Sequence, residues 1–135
     1  MRLSPLLPLM LLLSACTSGS ATYRLDGADQ TLSIRAEQEY FWSDALTVKM
    51  ITARLPDCQR QVTLAKLPKN EFEIELFDSG DNVYTLRAGE QMWQVNVESC
   101  TPLGEPKQAV SGLPVGTFKF DADKRVVFVK NPAAK

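Results

Sequence analysis

The sequence predicts an all-β domain: an antiparallel β-sandwich or small β-barrel of about eight short strands. Two observations carry that reading. Apolar and polar residues alternate with a period of two along several stretches, and clusters of Asp, Asn, Gly and Ser separate those stretches at short intervals. With 135 residues, 44% apolar and 23% charged, the chain suffices for one such core and not for two.

The elements follow in chain order. Tyr23-Arg24-Leu25 and Leu32-Ser33-Ile34 flank Asp26-Gly27-Ala28-Asp29, a hairpin signal. Residues 35–55 lack Gly and Pro, and Phe41, Ala45, Val48 and Leu55 fit a helical stripe. Thr47, Val48, Ile51 and Thr52 oppose it, because branching at Cβ favours extended backbone, so residues 46–53 are expected as a strand. A short strand at Val62-Thr63-Leu64 follows. Glu71-Phe72-Glu73-Ile74-Glu75-Leu76 alternates without a break, which turns Phe72, Ile74 and Leu76 to a core and the glutamates to water. Asp78-Ser79-Gly80-Asp81-Asn82 and Ala88-Gly89-Glu90 are turns. Between and after them, residues 83–87 and 91–99 complete an antiparallel meander, with Trp93, Val95 and Val97 on one face. Residues 101–116 hold three prolines and three glycines and are expected as a loop crossing the end of the sheet. Phe118-Lys119-Phe120 and residues 125–129 form a last hairpin about Asp121-Ala122-Asp123-Lys124.

The N-terminus has a different character. Met1-Arg2 is a short positive start, and residues 6–13 read Leu-Leu-Pro-Leu-Met-Leu-Leu-Leu. Such a run rises about 12 Å as a helix, too short for a hydrocarbon core of about 30 Å, so it is expected as a signal-peptide apolar region. It ends in Leu13-Ser14-Ala15-Cys16, an aliphatic residue, two small residues and a cysteine. This resembles the lipobox of bacterial lipoproteins, over residues 1–16 only. The resemblance implies that the Cys16 thiol receives a diacylglycerol, that the peptide before it is cut, and that the new amine is open to acylation. One acyl chain binds a bilayer only marginally, about 10⁴ M⁻¹, so stable anchoring takes two or more. Thr17 stands where Gram-negative lipoproteins retained in the inner membrane usually carry aspartate. The resemblance therefore implies the outer membrane, facing the periplasm.

The expected organisation is a signal peptide over 1–15, a lipidated cysteine and flexible tether over 16–22, one β-domain over 23–130 and a tail over 131–135. Cys58 and Cys100 are then an isolated pair in an oxidising compartment and are expected to form one disulfide. A metal-thiolate site would want three or four ligands, and a redox dithiol usually spaces its thiols two residues apart.

Candidate chemistry is sparse. The chain has no histidine, which excludes Ser-His and Cys-His nucleophile pairs and histidine metal sites. Its 15 basic and 16 acidic side chains leave no electrostatic footprint for nucleic acid. Glu71, Glu73 and Glu75 resemble paired carboxylates, but without a cleft to raise a pKa they read as a solvated face. Asp78, Asp81 and Asn82 lack the spacing of a calcium loop and read as a turn. Met50 and Met92 read as packing residues rather than copper ligands, and Ser43-Asp44 lacks a base for the serine. The most unusual feature is Tyr40-Phe41-Trp42. Three consecutive rings on a strand cannot share one face, so at least one needs a second surface: a covering loop, or a partner, ligand or membrane. These three residues are the candidate contact site.

The chain is thus expected to be a non-enzymatic, outer-membrane-anchored module that binds an envelope component, with the membrane and an envelope protein as partners. No metal and no cofactor beyond the covalent lipid on Cys16 are expected. Two other classes stay open. One is a small inhibitor of a cell-wall hydrolase such as lysozyme, by analogy with lipid-anchored β-barrels that carry a disulfide. The other is a small-ligand carrier with a barrel cavity.

Overall fold

The computed structural model describes residues 18–25, 29–40, 42–106 and 112–132. These form ten strands: β1 (Ser18–Arg24), β2 (Gln30–Glu37), β3 (Ala45–Arg54), β4 (Cys58–Pro68), β5 (Glu73–Asp78), β6 (Val83–Ala88), β7 (Gln91–Asn96), β8 (Thr101–Gly104), β9 (Leu113–Phe120) and β10 (Val126–Lys130). One 3-10 turn, Lys69–Glu71, links β4 to β5. All pairings are antiparallel. One sheet has the order β1-β2-β3-β4 and the other β10-β9-β5-β6-β7-β8.

The two sheets pack face to face through the alternation read from the sequence. Leu32 and Ile34 on β2 and Leu46, Val48 and Met50 on β3 are buried. They meet Ile74 and Leu76 on β5, Leu86 on β6, Val95 on β7 and Phe118 on β9 in one core. The sheets come together along both edges. At one edge β1 runs beside β10, where a Cβ on Gly19 would lie 3.2 Å from Val126 Cγ2. At the other the Cys58–Cys100 disulfide, with Cα atoms 6.0 Å apart, ties the start of β4 to the turn after β7.

Register divides the connections between two poles. Ser18 pairs with Glu37, and Ala45 with Pro68, so the N-terminal end of β1, the β2–β3 loop and the 3-10 turn share one pole. The β6–β7 and β9–β10 turns lie there too, because Glu75 pairs with Arg87 and Glu73 with Lys119. The β3–β4 turn, the β5–β6 turn and the disulfide occupy the opposite pole.

Three expectations change. The described residues form ten strands rather than about eight, and of the two expected architectures the sandwich is found. Residues 18–22 are part of β1 instead of a flexible tether, because their backbone pairs with residues 33–37 of β2. Residues 101–116 are not all loop: Thr101–Gly104 is β8, and β9 begins at Leu113. Pro102 is tolerated because β8 is an edge strand, and Pro114 because it precedes the stretch of β9 that pairs with β10. The 46–53 strand is found as β3, and the helical alternative is not adopted.

Candidate contact site

The β2–β3 loop, residues 38–44, is built from its stem outward. The alternation of Leu32, Ile34 and Ala36 continues to Gln38, whose side chain is buried. There Gln38 Nε2 donates to the Ser43 carbonyl at 2.8 Å and closes the neck of the loop. Ser43 N donates to the Tyr40 carbonyl at 3.0 Å, which makes the tip a tight turn. The Ser43 hydroxyl accepts from Ala45 N and donates to Ala45 O, both at 3.2 Å. Lys69 N donates to the Asp44 carbonyl at 2.9 Å and fastens the loop to the 3-10 turn.

Charged side chains brace the other flank. Glu39 accepts from the Thr47 hydroxyl at 3.1 Å and pairs with Lys66 Nζ at 3.5 Å. Glu37 pairs with Arg35 at 2.6 Å and with Lys49 at 3.2 Å. Glu37 and Glu39 are therefore each matched by a cation.

On this support Tyr40 and Trp42 stack on each other, ring centroids 4.9 Å apart and planes 14° from parallel. They remain 53% and 67% exposed. The expectation that these rings lie on a strand is overturned. β2 ends at Glu37, and the Gln38 and Ser43 bonds reverse the chain, so residues 40 and 42 meet on one side. Phe41 lies outside the described residues.

The remaining candidates are placed as follows. Cys16 lies outside the described residues. Cys58 and Cys100 are joined, at the pole away from the aromatic pair. Glu71 and Glu73 are exposed, while Glu75 is ion-paired with Arg87, whose guanidinium also lies 5.2 Å over the Phe77 ring. With residues 66–68 and 87–91 these glutamates line an open groove of about 900 Å³ that is polar and shallow rather than an enclosed apolar cavity. Asp78 Oδ1 accepts from Gly80 N, and Asp81 and Asn82 take left-handed φ values of 54° and 63°, so these residues build the β5–β6 turn. Asn82 Nδ2 donates to Glu98 at 3.0 Å. Met50 is core and Met92 half-buried. Among the described residues there is no group of three His, Cys, Asp or Glu side chains placed to hold a metal.

Sequence reasoning did not single out Gln38 or Arg87. The first was signalled by a polar residue on an inward register, Leu32-Ile34-Ala36-Gln38. The second, opposite Glu75 across two strands, had no local signal. The chain matches no family model, no curated protein and no solved structure.

Proposed function

We propose that the chain is an outer-membrane-anchored periplasmic lipoprotein whose β-sandwich is a non-enzymatic binding module held against the membrane surface. The observation that carries this reading is the position of β1. It begins at Ser18, two residues after the lipobox cysteine, and its first residue pairs with Glu37 at the base of the aromatic loop. Two extended residues span at most about 7 Å. An anchor at Cys16 therefore leaves no stalk: the pole bearing Tyr40 and Trp42 rests at the bilayer. The absence of histidine, the ion pair on Glu75 and the turn role of Asp78 support a binding role over catalysis.

Membrane fractionation tests the anchor. The chain of natural sequence is expected in the outer-membrane fraction and released only by detergent. Cys16→Ala should leave that fraction, and Thr17→Asp should move to the inner membrane. A Cys16→Ala protein that stays with the outer membrane would overturn the reading.

A further inference from the structure

We infer that Tyr40 and Trp42 form an interfacial foot that enters the headgroup region of the phospholipid bilayer holding Cys16, and so fixes the orientation of the domain. This rests on the lipid anchor proposed above. Among the described residues these are the large aromatic side chains left exposed. The other exposed large apolar residues are aliphatic: Leu55 and Leu113 are at the opposite pole, and Leu103 and Val129 are on strands at the two edges of the larger sheet.

Position argues for the bilayer over other occupants. The path from Cys16 to Tyr40 is two residues to Ser18, one strand spacing to Glu37 and three residues along the loop. Its length is at most roughly 22 Å. A lipid on Cys16 places its glycerol among the headgroups, so the loop stays within that reach of the layer whenever the anchor is inserted. Tyr and Trp concentrate at this depth in membrane proteins, because each has an apolar ring body and one polar hydrogen at its rim. Two carboxylates next to the rings are neutralised. Glu37 and Glu39, the carboxylates flanking the loop's N-terminal arm, are matched by Arg35, Lys49 and Lys66, so they do not face anionic phosphates uncompensated. The loop is also pre-shaped: Gln38, Ser43 and the Lys69 amide hold it without help from a ligand, so little ordering entropy is lost on insertion. The consequence is a fixed direction. The disulfide pole and the β5–β6 turn face away from the membrane.

The test uses protein extracted from membranes and reconstituted into vesicles of phosphatidylethanolamine and phosphatidylglycerol whose acyl chains carry bromine close to the ester carbonyl, at the depth of the headgroup boundary, where it quenches indole on contact. The sequence has two tryptophans, so Trp93→Phe leaves Trp42 as the reporter. Trp42 is expected to lose more than half of its emission and to shift to the blue relative to the detergent-solubilised chain. If Trp93→Phe does not fold, the same quantity is read as the difference between the unmodified chain and Trp42→Phe. A reporter moved to the other pole, Leu113→Trp in a background of Trp42→Phe and Trp93→Phe, should keep its emission. A lipidated chain with unquenched Trp42, or equal quenching at both poles, would overturn the inference while leaving the anchor intact. A Trp42 shielded only when an envelope protein copurifies would assign the pair to a protein partner and overturn it as well. A mass showing unmodified Cys16 would overturn the anchor reading, and this inference with it.

Discussion

Thr52 is buried on the inner face of β3, and its hydroxyl has no hydrogen-bond partner among the described residues. Leaving such a group unpaired costs about 1–3 kcal/mol, so Thr52→Val, which keeps the shape and the branched Cβ, should raise unfolding stability by about 1 kcal/mol in a urea titration. Gly116 makes the opposite case. It sits in β9 between Leu76 and Lys130, and a Cβ there would lie 2.5 Å from the Val129 carbonyl and press on the Phe128 ring. Gly116→Ala should therefore lower stability by about 1–3 kcal/mol, as overpacking does, with an unchanged denaturant slope. Exposure separates the aromatic residues. Phe118 is fully buried, and Phe118→Ala should cost about 3–5 kcal/mol. Trp42 stacks on Tyr40 and is mostly in water, so Trp42→Ala should cost well under the Phe118→Ala loss, on the order of 1 kcal/mol. A Trp42→Ala loss comparable to that of Phe118→Ala would make the ring part of the core and end its role as a contact.

At the scale of elements, strands with one buried face were legible and strands without one were not. Leu32-Ile34-Ala36 and Phe72-Ile74-Leu76 alternate because each turns one side to the core, and a slip of one residue would expose that whole set. The first five residues of β1, Ser-Gly-Ser-Ala-Thr, carry no such pattern. They pair through their backbone with β2, and Gly19 lets the strand approach Val126 closely, neither of which leaves a hydropathy signal. β8 was hidden for a related reason: it is a short edge strand containing Pro102 and Gly104, residues that locally mark a turn. The aromatic loop was found for its composition but misjudged in geometry. Its reversal depends on the Gln38 side chain reaching the Ser43 carbonyl, a contact that strand periodicity does not encode. The disulfide was predicted from compartment and count, and its place explains its value, since it joins edges of two sheets that no strand pairing connects there. Replacing both Cys58 and Cys100 by alanine should cost about 2–5 kcal/mol while leaving strand content near native at low temperature, read by far-ultraviolet circular dichroism.

At the scale of the molecule, the sandwich has a direction. Its N-terminal strand starts at the pole that carries the stacked Tyr40–Trp42 pair, and its disulfide lies at the other. On the proposed function, a lipid on Cys16 would seat the aromatic pole on the bilayer and present the disulfide pole to the periplasm. The proposed function depends on that modification. Trypsin cleavage after Arg24 isolates it, because the next basic site upstream is Arg2. The most direct measurement is the mass of the N-terminal tryptic peptide from protein purified out of envelope membranes. The expected peptide begins at Cys16, ends at Arg24 and carries a diacylglyceryl group on the thiol. A peptide running unmodified from Leu3 to Arg24, or one beginning at Cys16 with a free thiol, would contradict the proposed function.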